Sequence, residues 1–188
     1  MPIWLTDDEY STLAAALDRL IPPHAGLPGA RALGVADYVD GLLGAFSFDP
    51  PHIWAGGPFS GRHGGEASFE RFTPLSPLEE LAWRTRIEGS QGLPEREFNG
   101  PFVGWQERYR AGLAALGTDF TAIPGDEQDA RLDADPSFKA MVYAHACEGA
   151  YGAPEYGGNR ETAAWQAIGF PGDVQPRGYT DEEVAGRD

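Results

Sequence analysis

His145 and Glu148 stand three positions apart in a segment whose apolar residues, Phe138, Met141, Val142, Ala146 and Gly149, recur at helical spacing. An imidazole and a carboxylate so placed share one helix face. That pair suits half of a metal site in a helical bundle, where a matching pair must arrive from another helix, or an acid–base couple. No second matching pair is visible in the sequence. The bland alternative is a histidine on an apolar stripe, hydrogen-bonded to a nearby acid or carbonyl.

The remaining reactive residue types are scattered. His24, His52 and His63 occupy loop segments with no partner at ligand spacing. Gly57, Gly61, Gly64 and Gly65 surround Arg62 and can offer amides to an anion, although the same composition also makes an ordinary turn. Cys147, the only cysteine, follows His145 by two positions and so leaves on another helix face, which disfavours a Cys–His couple. A single cysteine also excludes an internal disulfide framework and a zinc knuckle. Dinucleotide-binding, P-loop and nucleophile-elbow motifs do not occur. The acidic residues Asp126, Glu127, Asp129, Asp133 and Asp135 lack the register of a calcium loop and read as solvated or capping groups. No catalytic, cofactor-binding or metal-ligating residue is assigned to this chain.

These residues must be positioned by helices. Thr6 and Glu9 form a capping box ahead of Tyr10, Leu13, Ala14, Leu17, Leu20 and Ile21, and Pro22 with Pro23 stops that first helix. A second is expected over about 33–46, carrying Val35, Tyr38, Val39, Leu42 and Leu43. Ser76, Pro77 and Glu79 start a third, with Leu78, Leu81, Ala82, Thr85 and Ile87 as its inner face. Phe102, Trp105, Tyr109, Leu113 and Leu116 mark a fourth over roughly 101–116, and a short helix follows near 126–132. Asp135 caps a fifth main helix with Pro136 in its first turn, and Asn159 can cap one more, with Ala163, Ala164, Trp165 and Ile168 inward. Period-two alternation and hairpin signals are missing. The expected fold is all-α: a compact bundle of about five to seven helices with long irregular loops rich in glycine, proline and aromatics, forming one domain over 1–188 with a loop-rich insertion at about 47–74.

Two irregular segments stand out. The insertion carries Phe48, Trp54, Phe59, Phe69 and Phe72, residues that disordered segments usually lack, and so reads as an ordered excursion. The run from Glu148 to Arg160, followed by Trp165 and by Phe170-Pro171-Gly172, is too dense in glycine, proline and rings for a plain helix or strand. Its backbone must follow one particular path held by tight turns.

Charge narrows the partners. The chain has 14 Lys and Arg against 29 Asp and Glu, a formal net charge of −15. Its long-range field repels phosphate backbones and anionic lipid surfaces, so nucleic acid is not expected as a partner. No apolar run approaches the ~20 residues that span a bilayer, and direct membrane insertion is not expected. Met1 to Glu9 is acidic where a signal peptide would be basic, with no twin-arginine motif, which makes the cytoplasm the expected location.

With those residues in view, the chain resembles the gluconate 2-dehydrogenase subunit 3 family, small subunits that accompany large FAD-dependent oxidoreductases of the glucose-methanol-choline class. The resemblance is carried by Leu5-Thr6 through Leu20-Ile21-Pro22, by Gly34 to Asp40, by Tyr109-Arg110 with Gly112-Leu113, and by Phe138 through Gly149. Its most specific part is Tyr156-Gly157-Gly158-Asn159-Arg160 with Trp165 and Ile168-Gly169-Phe170-Pro171-Gly172. The resemblance implies a noncatalytic partner that stabilises or matures a flavoprotein. It places FAD in that large subunit, which oxidises a sugar, polyol or glycoside alcohol, and no cofactor in this chain.

Three readings follow. In the first, the helical body presents Trp54, Phe59, Arg62, Tyr156, Asn159, Arg160, Trp165 and Phe170 to the flavoprotein, since aromatic and arginine anchors favour interfaces. Against it stands the possibility that Tyr156, Trp165 and Phe170 pack inside this chain while Arg160 ties its own loops. The second is a stand-alone enzyme using His145 with Glu148. In the third, His52, Trp54, Arg62 and His63 form a lid lent to the partner's active site.

Overall fold

The computed structural model describes residues 1–56 and 72–170. Among them are eight α-helices and no sheet, only the isolated bridges His24 to Leu27 and Gly56 to Thr73. The expected all-α class holds, with two helices, four and five residues long, added to the longer ones.

Local chemistry sets the helix starts. In α1 (Asp7–Leu20) Thr6 Oγ1 accepts from the Glu9 amide at 3.2 Å while the Glu9 carboxylate accepts from the Thr6 amide at 2.8 Å. Ser76 and Glu79 repeat this at α4 (Pro77–Glu88). Asp135 accepts from the amides of Ser137 and Phe138 at the start of α7 (Pro136–Tyr151).

The helix expected over about 33–46 is α3 (Val35–Leu43), shorter than expected and preceded by a separate four-residue helix. That helix, α2 (Ala30–Leu33), ends and α3 begins at Gly34, whose φ of 71° lies in the left-handed region that glycine enters without penalty. The side chain of Arg160 lies against that glycine, and a Cβ there would stand 2.4 Å from Arg160 Nε.

α7 is the spine, packed against α1, α2, α3, α5 (Trp105–Leu116), α6 (Gly125–Asp133) and α8 (Ala163–Ala167). Leu13, Leu17, Val35, Val39, Tyr109, Leu113, Phe138, Val142 and Ala146 form the main core. A smaller core of Ala45, Ile53 and Ile87, covered by Leu42, Phe46, Trp83 and Trp105, joins the start of the 47–74 excursion to α4. The base of that excursion is pinned where Ala55 N donates to Thr73 O and Thr73 N to Gly56 O.

Three expectations of inward packing are corrected. Phe102 is not part of α5. Ser90 and Phe102 exchange hydrogen bonds that hold the lead-in extended, and the helix starts only after Gly104, leaving the Phe102 ring 46% exposed. Leu78 and Ala82 face outward because α4 lies on the periphery and packs through Trp83 and Ile87. Ile168 is 56% exposed, since α8 ends at Ala167 and the chain turns away at Gly169.

Candidate functional site

The glycine-rich run after α7 folds back on that helix. Pro154–Tyr156 makes one 3-10 turn, and Gly158 then passes so close to α7 that a Cβ on it would lie 2.1 Å from Gly149 O. Asn159 follows in the left-handed region, which asparagine tolerates better than most residues, and is wholly buried. Its Nδ2 donates to Gly152 O and its Oδ1 accepts from Ala164 N, both at 3.1 Å. One carboxamide thus satisfies a carbonyl past the end of α7 and a free amide at the start of α8. Asn159 is not the N-cap expected of it: Thr162 holds that position at α8, and Asn159 reaches Ala164 from five residues upstream, across an intervening 3-10 turn.

Arg160 leaves this knot outward and pairs with Asp37 of α3, which also accepts from the Tyr10 hydroxyl of α1. Burial, and then the bond to Asp37, push the Tyr10 phenol up to about 12. Trp165 is 6% exposed and donates its indole N–H to Tyr151 O at 2.7 Å. Phe170 packs edge to face on Trp165 with ring centroids 5.2 Å apart and remains 43% exposed. Of the expected contact residues, Asn159 and Trp165 therefore shape the surface from beneath, whereas Arg160 and Phe170 lie on it. Phe59, Arg62 and His63 lie outside the described residues.

Trp54 and Tyr156, distant in sequence, are brought to one place. Each meets Phe72 edge to face, at 6.0 and 5.9 Å, and both line a cleft of about 480 Å³ between α3, the 48–54 segment and the 152–157 turn. Ile3, Leu42, Phe48, His52, Ile53 and Trp83 complete its apolar lining. Phe48 stacks on His52 at 3.8 Å, and burial lowers the His52 pKa, which keeps the ring neutral near pH 7. Asp37, Glu148 and Glu155 add carboxylates. A second, shallow depression of about 720 Å³ runs over Pro23 to Pro28 and the exposed side of α8, lined mostly by small residues.

Sequence reasoning missed two features. The connection from α4 to α5 exposes Leu93, Phe98, Phe102 and Val103, with Phe98 93% exposed. The available signal was Phe98 set between Glu97 and Asn99-Gly100, polar and turn-forming neighbours that leave a ring no core to join. Asp40 is the other: 2% exposed, it accepts from the amides of Ile3, Trp4 and Leu5 and so holds the bent lead-in to α1. A carboxylate four residues after Ala36 and three before Leu43, on an apolar helix face, was the clue.

His145 and Glu148 turn to different neighbours. His145 Nδ1 is 2.9 Å from the Tyr109 hydroxyl and its ring packs against Trp105, whereas Glu148 accepts from the Tyr38 hydroxyl at 2.9 Å. Burial above all lowers the His145 pKa and raises that of Tyr109, and Tyr38 is raised by burial and then by Glu148. Among the described residues no group of three His, Cys, Asp or Glu is placed to hold a metal ion, and no helix is long and apolar enough to cross a membrane.

No curated protein and no solved structure matches the chain. A family model described as Gluconate 2-dehydrogenase subunit 3 matches residues 7–172, from the first residue of α1 to just beyond Phe170. The match takes in the capping box glutamate, the Gly34 break, Asp40, the Asn159 knot and the described walls of the cleft other than Ile3. With most of its length inside that match, the chain belongs to the gluconate 2-dehydrogenase subunit 3 family.

Proposed function

We propose that this protein is a noncatalytic small subunit that binds a large FAD-dependent oxidoreductase of the glucose-methanol-choline class and stabilises or matures it. The large subunit carries the FAD and oxidises a sugar, polyol or glycoside alcohol. Membership of a family of dehydrogenase subunits is the observation that carries this reading. The surface supports it: Phe98, Phe102, Phe170 and the Trp54–Tyr156 cleft offer rings to a partner, the residue type most enriched at interface centres.

The test is co-expression with a candidate FAD-dependent large subunit of the glucose-methanol-choline class, followed by size-exclusion chromatography monitored at flavin wavelengths. The small subunit is expected to elute with the flavin peak and to raise the yield or thermal stability of the flavoprotein. Elution of the two proteins as separate species, with flavoprotein yield unchanged, would refute the reading.

A lid role is the second reading, favoured by the position of His52 and Trp54 at the cleft on a loop anchored to a rigid body. Substituting them would then change KM or kcat of the complex with assembly intact. Loss of assembly alone points back to docking.

A further inference from the structure

The cleft combines ring walls with negative charge, and the combination selects its occupant. Trp54, Phe48, Tyr156 and Trp83 line it together with Glu148, and no lysine or arginine is among its described lining residues. Glu148 projects from the last turn of α7, and its described hydrogen-bond partner, the Tyr38 hydroxyl, is neutral. No described cation lies within salt-bridge distance of it. Asp37, by contrast, is already paired with Arg160. The chain as a whole carries −15.

An anionic side chain would be repelled here, and a purely apolar one would strip water from the Glu148 carboxylate without replacing its hydrogen bonds. Arginine satisfies both surfaces: its planar guanidinium stacks on aromatic faces, its stem is apolar, and its forked donors match a carboxylate. The cleft holds more than one side chain, so the residue flanking the arginine also fits. We propose that this cleft is the socket for an arginine of the flavoprotein subunit, stacked among the rings and paired with Glu148. The proposal rests on the small-subunit reading above and adds the chemistry of the contact.

Gly41 of α3 offers a test that spares the fold. It lines the cleft, and the nearest atom to a Cβ built on it is Tyr156 O at 3.8 Å, so a Cβ fits there at ordinary contact distance, and Gly41→Leu adds bulk at the cleft wall while improving a helix-interior position. Glu148→Gln removes the charge at an exposed site and keeps the shape. Asp133→Asn, beyond the opposite end of α7, removes a carboxylate away from the cleft. Each full-length variant is co-expressed with the flavoprotein, and affinity is measured on the purified proteins at two salt concentrations.

Gly41→Leu is expected to melt at or above the wild-type temperature, yet to bind at least about tenfold more weakly. Glu148→Gln should weaken binding several-fold and reduce its salt dependence, with Asp133→Asn unchanged. Wild-type binding with both cleft variants equally tight would overturn the socket and leave the small-subunit reading standing. Equal weakening by Asp133→Asn would also overturn it, as an effect of overall charge. Failure of the wild-type chain to bind would remove both.

Discussion

The Tyr109 hydroxyl meets Nδ1 of His145 at 2.9 Å, with Tyr109 fully buried and His145 4% exposed. This bond joins α5 to α7 across the centre of the core. Desolvation dominates at His145, so the folded protein favours the neutral imidazole, Glu148 opposing and Arg108 reinforcing that preference. A base whose pKa is lowered by folding contributes stability that is complete above its unfolded value, about 6.5, and is lost as pH falls toward the folded value. The melting temperature should therefore drop between pH 7 and pH 5. His52 is shifted the same way, also by burial. The lowered carboxylates Glu79, Asp119, Asp129 and Asp135 act only below about pH 4, their unfolded range. Melting curves of His145→Gln and His52→Gln against pH apportion the effect, and a wild-type slope retained in His145→Gln would refute its assignment to that residue.

Asn159→Ala removes both ends of a buried carboxamide bridge and puts alanine at a φ of 44°. Two lost hydrogen bonds and a left-handed backbone predict a destabilisation of about 2–4 kcal/mol by urea unfolding. Asn159→Asp restores the acceptor for Ala164 but turns a carboxylate toward Gly152 O, and should be at least as damaging. A mild effect of either variant would show that the 152–164 path is held by other contacts.

Asp40→Ala strands three amides at the start of the chain and is expected to destabilise by about 3 kcal/mol. Hydrogen exchange gives the more specific readout. Protection should fall first at Ile3, Trp4 and Leu5, whereas uniform loss across α1 and α7 would argue for a global core role instead.

Arg160 and Asp37 are 57% and 38% exposed at their side chains, so solvent screens their attraction. A double-mutant cycle on Arg160→Ala and Asp37→Ala should give a coupling of no more than about 1 kcal/mol. Asp37→Ala alone should be the more harmful single change, because it also orphans the Tyr10 hydroxyl. A coupling well above that bound would mark the pair as structural and not as available surface.

Helix starts were legible because they are local. Thr6 with Glu9, Ser76 with Glu79, and Asp135 by itself ahead of Pro136 satisfy free amides within one turn, and all three stand where spacing placed them. Inner faces were legible where helices are central, as in Tyr109, Leu113 and Leu116 or Val142, His145 and Ala146. Reading faltered at Phe102, Leu78 and Ile168, whose side chains continue an apolar period beyond the reach of the core. Periodicity reports which residues can face one way, not whether anything waits there.

By itself the sequence determined the helical class, the caps, the acidic field and the blocks that mark the family, since each depends on residues near one another in the chain or on simple sums. Only the tertiary structure decided that Asn159 is interior and Arg160 superficial, neighbours separated by one peptide bond. It also decided that Trp54 and Tyr156, about a hundred positions apart, share one cleft with Glu148. Those outcomes depend on how closely Gly158 approaches α7 and on where α3 lies beside it, long-range distances that no local spacing encodes.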